Sequence, residues 1–411
     1  MLANFLRKVF DHLEAFSAKK YVIVTGNEAC DLDSIACATA FAYLKQQEAQ
    51  NENTCYVPVC NIPVEDIPLR TEATHWLNSC RIPPKSLFYH GSVEKLLQET
   101  AKQNVDLILV DHHEQAATTI FKDLKITDII DHHPLSPDYV RPQTCNFFRV
   151  ERVGSCASLV TDELTKRLPR DQIPLELCQL LYGAIMVDTL GLTNEAKLAQ
   201  RAMDADFLAA QKLEELGRDE LFNEDSSRES IYKQISDAKF CITGLSLWDL
   251  LRRDMKPVSA KPKMPPEIVC STISGMDFQE MTVRQDFTIA ANKFCQDHNV
   301  KLLVCVTVGP VKKDNRVRSI VLNKGELPGM RRGLAIFASP ENRQFAEALT
   351  QYLQTEPNEL QLQPNKQGPQ SNAHHFIFTA TINNTAVTRK QIMPILVSFL
   401  QRMRSSSTEG G

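Results

Sequence analysis

The sequence predicts an α/β protein in two parts: an N-terminal parallel-sheet domain and then a smaller α+β domain. Three observations carry this. From residue 21 to about 235, short apolar runs rich in β-branched residues alternate with helical stretches, the pattern of a parallel sheet covered by helices. After a polar stretch at 219–229 the strands follow one another with fewer helices between them. The length, 411 residues, is more than one hydrophobic core of ordinary size organises.

Taken in order, residues 1–20 form an N-terminal helix. Leu2, Phe5, Leu6, Val9 and Phe10 recur at helical spacing with Arg7 and Lys8 opposite, as in a helix that docks on a core. A mitochondrial presequence is the alternative reading, and Asp11 and Glu14 count against it. The first domain spans 21–235, with its clearest strands at 21–25, 105–110 and 126–130. Each of these runs directly into a cluster of Asp, Asn or His. In open α/β sheets the ligand crevice lies at the carboxyl ends of the strands, so clusters far apart in sequence can converge there.

The second domain spans 236–403. Strands are expected at 267–273, 301–308, 318–322 and 375–380, with a Lys-Lys-Asp-Asn turn at 312–315 and helices after Ala291 and at 389–403. Lys312, Lys313, Arg316 and Arg318 read as surface charge near that turn. The stretch 361–372, rich in Gln, Pro and Asn, reads as an exposed loop, and 404–411 as a disordered tail.

Composition narrows the function. Hydrophobic residues at 43% and charged residues at 23% exclude a collagenous or wholly disordered chain. Acidic residues outnumber basic ones, 50 to 46, so no global positive field collects a nucleic-acid duplex. The twelve cysteines are scattered without a C-x-x-C pair, which reads as reduced thiols in the cytoplasm. No apolar run reaches the roughly 18 residues of a membrane span.

Three clusters carry chemistry. The first is 26–34, where Asp31 and Asp33 can turn toward one point and Ser34 is placed to cap a helix starting at Ile35. Crowding of carboxylates is tolerable around a hard divalent cation. The second and third are Asp111-His112-His113-Glu114 and Asp131-His132-His133-Pro134, two Asp-His-His triplets each directly after a strand. Asp188 stands alone in an apolar run, where a carboxylate is costly to bury without a cation. Carboxylates with imidazole and almost no sulfur suit Mg²⁺ or Mn²⁺ better than a structural zinc. Two such ions could clamp the oxygens of a phosphoryl group during an in-line displacement, so metal-assisted phosphoester or phosphoanhydride hydrolysis is the expected reaction class. Gly154-Ser155-Cys156, opening an apolar helix, is either a helix cap or a support for the site. His112 and His113 are expected near the site without an assigned role.

Asp31-x-Asp33-Ser34, the strand-terminal Asp111, the Asp131-His132-His133 triplet and Asp188 resemble, in order and spacing, the four motifs of the DHH phosphoesterase superfamily. The stretches 250–256 and 387–394 resemble the second domain of its DHHA2 branch, so the likeness covers about residues 20–403. That branch holds family II inorganic pyrophosphatases, eukaryotic exopolyphosphatases and the animal prune proteins. Gly26-Asn27-Glu28 and 58–70 are similar to the exopolyphosphatase and prune sequences. The resemblance implies two divalent cations, Mg²⁺ or Mn²⁺. Asp31, Asp111 and Asp188 would hold one and Asp33, Asp111, Asp188 and His132 the other. His133 would face the substrate phosphate as a catalytic group beside the bridging Asp111. Asn27 would be a further metal ligand, standing where pyrophosphatases place a metal-binding histidine, and its amide oxygen, a harder and weaker donor than imidazole, favours Mg²⁺ over tight Mn²⁺ binding. Lys256, Arg389 and Lys390 match the family positions that contact the non-reacting phosphates.

The implied function is an exopolyphosphatase that removes terminal phosphate from short-chain inorganic polyphosphate. The alternatives are a cyclic-nucleotide phosphodiesterase using the same centre, and an interaction protein that binds nucleoside diphosphate kinase, as the likeness to prune proteins implies. Only two Trp and eight Tyr are present and none lies in the motifs, which disfavours a base-stacking platform.

Overall fold

The structure is a computed structural model that describes residues 1–49, 53–115, 119–217, 227–261, 264–310, 330–355, 360–365, 375–384, 387 and 389–408. The chain divides into two compact units, Met1–Lys239 and Phe240–Gly411.

The first unit is built on a five-stranded parallel sheet in the order β2-β1-β3-β4-β5. Its strands are β1 (Lys20–Thr25), β2 (Thr54–Val59), β3 (Val105–Val110), β4 (Lys125–Asp131) and β5 (Phe147–Val150). β1, β3 and β4 are buried along most or all of their length, which is why they read as uninterrupted apolar runs. β2 contains Pro58 and β5 is a four-residue edge, so neither carries a strong strand signal.

The helix Leu32–Ala49 is buried on every side along its first thirteen residues, Leu32 to Leu44. Ala36, Ala38, Ala40 and Ala42 let neighbouring elements lie close, and it packs against the helices Cys156–Arg167 and Leu175–Asp188. The N-terminal helix Leu2–Ala15 buries Leu2, Phe5, Leu6, Val9 and Leu13 in the same core. Phe10, expected on that face, is 54% exposed, and Leu13 completes the stripe one turn on from Val9.

The second unit holds a six-stranded mixed sheet in the order β10-β11-β9-β8-β7-β6. Its strands are β6 (Met255–Val258), β7 (Ile268–Ser274), β8 (Leu302–Pro310), β9 (Met330–Ala338), β10 (Leu362–Pro364) and β11 (Phe376–Ile382). Among the described residues of this sheet only β7 and β8 pair in parallel. Alternate residues feed two cores: Leu302, Val304 and Val306 pack under the helices Arg343–Thr355 and Arg389–Thr408. Leu303 and Cys305 pack under the helices Leu247–Arg253 and Phe287–Asp297.

Three expectations are corrected here. The strand partner of β8 is β9, whose start at Met330-Arg331-Arg332 hides it among charges. The loop expected at 361–372 contains the short strand β10, paired to β11. The tail expected from 404 is helical as far as Thr408. The strand expected at 318–322, the turn at 312–315, Lys312, Lys313, Arg316 and Arg318 lie outside the described residues. All twelve cysteines are free thiols, and all but Cys241 are buried. No helix among the described residues is long and apolar enough to cross a membrane.

Candidate active site

The strand order places a topological switch between β1 and β3, whose connections leave toward opposite sides of the sheet, and ligands bind in the crevice at such a point. The loops after β1, β3 and β4 all open on that carboxyl edge because the strands are parallel and level.

The first loop turns tightly at Gly26, where an added Cβ would lie 2.4 Å from Ser34 Cβ. The following helix begins at Leu32 rather than Ile35. Asp31 takes the cap position, its carbonyl accepting from Ile35 N–H and its Oδ1 from Ser34 N–H at 3.1 Å. Ser34, freed from capping, donates its hydroxyl to Asp111 Oδ2 at 2.6 Å.

Asp33 is buried and held from the far side. Its Oδ2 accepts from Cys156 N–H at 2.7 Å and its Oδ1 from Ala157 N–H at 2.8 Å, the first two amides of the helix Cys156–Arg167. A helix N-terminus is a natural seat for a carboxylate. The stretch 154–156 is therefore both a helix start and a support for Asp33, while the Ser155 hydroxyl is buried with no hydrogen-bond partner.

Asp111 sits in the left-handed region at φ 58°, a costly conformation for a residue with a side chain and one that recurs at functional sites. The bend lets its N–H donate to Ile130 O at 2.9 Å. Its Oδ2 accepts from Ser34 and from Asn27 Nδ2 at 2.8 Å, and its Oδ1 lies 3.3 Å from His132 Nε2. His132 donates through Nδ1 to Val153 O at 3.1 Å, which leaves Nε2 as the nitrogen facing the carboxylates. Asn27 turns its amide nitrogen toward Asp111 and its oxygen toward Ala29 N–H at 2.8 Å.

Asp131 is fully buried and acts on histidines. Its Oδ1 accepts from His133 Nδ1 at 2.9 Å and its Oδ2 from His113 Nδ1 at 2.5 Å, with the His132 and His133 backbone N–H groups also on Oδ1. Although burial works the other way, these donors hold its carboxyl below the usual range. His133 is half exposed, and its hydrogen bond to Asp131 raises its pKa. His112 donates to Val110 O at 2.8 Å, and burial lowers its pKa. The roles of Asp131 and His113 escape sequence reasoning because the pairing spans eighteen residues.

Asp188 ends the helix Leu175–Asp188, and Leu190, Gly191 and Leu192 follow it in three successive left-handed positions. Burial first and neighbouring carboxylates second raise the pKa of Asp31, Asp111 and Asp188, and all three feel Asp33. For His132 burial is opposed by its hydrogen bond to Asp111 and by Asp33, and its pKa rises. Asp31, Asp33, Asp111, Asp188 and His132 are thus one interacting set. Among the described residues no lysine or arginine ion-pairs with any of these four carboxylates. Ligand atoms of Asp111, Asp131, His132 and His133 also lie within 4.8 Å of one another, close enough to hold an ion. Crowded carboxylates with no ion-paired lysine or arginine among the described residues, beside an imidazole whose other nitrogen is tied to a carbonyl, fit a hard divalent cation.

In the second unit, Arg389 Nη1 donates to Asp254 O at 2.8 Å and pairs with Asp254 Oδ1 at 2.5 Å. Lys256 is exposed on the edge strand β6, two residues beyond Asp254, so the fold brings Arg389 beside that strand. The Lys390 side chain lies outside the described residues.

An open α/β sheet whose switch point gathers Asp31, Asp33, Asp111, Asp188 and His132 fits a divalent-cation phosphohydrolase, and comparison with known proteins gives the family. The model of the DHH family N-terminal domain matches residues 21–185 and that of the DHHA2 domain residues 233–399. Exopolyphosphatase PRUNE1 of Mus musculus is 30% identical over 387 residues, spanning 94% of this chain and 76% of the relative. A putative exopolyphosphatase of Schizosaccharomyces pombe is 27% identical over 327 residues, 75% of this chain and 77% of the relative. A probable manganese-dependent inorganic pyrophosphatase of Clostridium acetobutylicum is 24% identical over 309 residues, 74% of this chain and 86% of the relative. The chain belongs to the DHH phosphoesterase family, in the branch that carries a DHHA2 domain, and is an enzyme.

Proposed function

We propose that the protein removes the terminal phosphate of short-chain inorganic polyphosphate with the help of two divalent cations, Mg²⁺ or Mn²⁺. One observation carries this reading: four aspartates crowd and repel one another at the switch point, His132 attracts them, and among the described residues none of the four is ion-paired to a lysine or arginine. The relatives named exopolyphosphatase support the substrate class.

Asp31, Asp33, Asp111, Asp188 and His132 would hold the cations. Asn27, whose amide nitrogen meets Asp111, orients that carboxylate in this arrangement rather than ligating. Bound cations supply a nucleophile at neutral pH and neutralise charge on the phosphoryl oxygens. His133, whose Nδ1 is taken by Asp131 in a bond that raises its pKa, would turn its Nε2 to a phosphate oxygen and stabilise charge that develops there. Lys256, Arg389 and Lys390 bind the non-reacting phosphates, whose charge exceeds what the cations offset. Free thiols throughout the chain fit a reducing compartment such as the cytoplasm.

The test is phosphate release from pyrophosphate, tripolyphosphate and tetrapolyphosphate, with cyclic AMP alongside, in Mg²⁺ and in Mn²⁺. Tri- and tetrapolyphosphate are the expected substrates, and Asp111→Ala should abolish both turnover and cation binding. Hydrolysis of cyclic AMP alone would move the reaction to a phosphodiesterase. Silence on all four would leave a binding protein, with nucleoside diphosphate kinase as the partner to try.

A further inference from the structure

Asp206 lies in the first turn of the helix Asp204–Gly217, outside every motif described above, and is fully buried. Its Oδ2 accepts the N–H groups of Gly154 at 2.8 Å and Met203 at 2.7 Å, and its Oδ1 accepts the Ser158 hydroxyl at 2.5 Å. Stabilising its own helix end would need only the Met203 bond. The other two reach 52 and 48 residues back in the sequence.

Those two partners bracket Cys156 and Ala157, the residues whose amides hold both oxygens of Asp33. Gly154 has no room to move. A Cβ there would lie 2.5 Å from Arg201 O, 2.6 Å from Thr189 Cγ2 and 2.8 Å from Asp206 Oδ2. Thr189 directly follows Asp188, so the same turn is wedged against the end of the helix that carries a second carboxylate of the set.

We infer that Asp206 is a positioning residue for the cation centre: by gripping Gly154 and Ser158 it sets the two amides that aim Asp33. The inference rests on the reading that Asp33 holds a cation. Partners one shell out from a metal ligand commonly change metal affinity roughly 10- to 100-fold when removed. Asparagine can reproduce this grip, because Oδ1 can accept both N–H groups while Nδ2 donates to Ser158 Oγ. Alanine cannot.

The experiment measures Mn²⁺ affinity by calorimetry, and the melting temperature without metal, for the full chain and for Asp206→Ala, Asp206→Asn, Ser158→Ala and Asp33→Asn. Asp206→Ala should bind Mn²⁺ about tenfold or more weakly, and Asp206→Asn should stay near the parent affinity. Ser158→Ala, which removes one side of the bracket, should show a smaller loss in the same direction and serves if Asp206→Ala does not fold. A merely structural Asp206 would lower the melting temperature and leave affinity unchanged below it, and that result overturns the inference. If Asp33→Asn loses Mn²⁺ while Asp206→Ala or Ser158→Ala keeps it, only the positioning role fails. If Asp33→Asn itself binds Mn²⁺ normally, the cation reading of Asp33 and this inference fall together.

Discussion

Asp31, Asp111 and Asp188 retain protons in the metal-free fold that free aspartates would release near pH 3.8, and His132 does the same above pH 6.5. Groups whose folded pKa is raised stabilise the native state at low pH and lose that contribution as pH rises through the folded value. Asp131, shifted the other way, loses its contribution only in acid. Above pH 6.5, where His90, His112 and His298, lowered by burial, have already given up their protons in both states, and up to about pH 8, the raised set with Asp111 near 7 governs. The metal-free protein should therefore melt at lower temperature as pH rises over that window, and saturating Mn²⁺ or Mg²⁺ should remove the decline by taking the place of the protons. Thermal scans with and without metal check this, and a metal-free melting temperature that climbs with pH would refute the buried carboxylate set. The ligand-type residues were legible because Asp and His at strand ends have few other reasons to cluster. Ser34 was misassigned because a serine before an apolar helix looks like its cap. The structure gives that place to Asp31, three residues earlier, and the hydroxyl goes to Asp111.

At the scale of elements, the helix Leu175–Asp188 delivers its last residue to the site and must seat against its neighbours to do so. Gly183, midway along it, receives the indole of Trp76, whose Nε1 donates to Gln179 O at 2.9 Å. A Cβ at Gly183 would lie 2.0 Å from that nitrogen. Gly183→Ala should cost on the order of 1–3 kcal/mol of stability through overpacking, outweighing the helix propensity gained. Urea unfolding measures this, and a stabilised variant would mean that Trp76 can move aside. Periodicity exposed the elements that are buried on both faces, such as β1, β3 and β4. It failed where tertiary pairing decides. β5 has four residues at an edge, and β9 opens with Met330 and two arginines that only its alignment with β8 makes strand-like. Asp206 was invisible for a related reason, since an acid in the first turn of a helix is ordinary until its distant partners are known.

At the scale of the molecule, the two units have separate cores and the proposed chemistry divides between them. The proposed cation ligands belong to the first, and the candidate phosphate-binding cations Lys256 and Arg389 to the second. Lys256→Ala and Arg389→Ala should therefore raise KM for tripolyphosphate and leave Mn²⁺ affinity unchanged. Steady-state kinetics paired with a metal titration separates the two effects, and a loss of metal affinity in either variant would contradict the division. Arg389 is held by Asp254, so its removal also frees that carboxylate close to Lys256. The distribution of thiols has a practical outcome of its own. Cys241 is the one exposed cysteine, and it stands two positions past Lys239, where the first unit ends. A maleimide fluorophore or spin label added to the native, unmutated chain should attach at this single position, giving a spectroscopic reporter at the junction without a cysteine-free background.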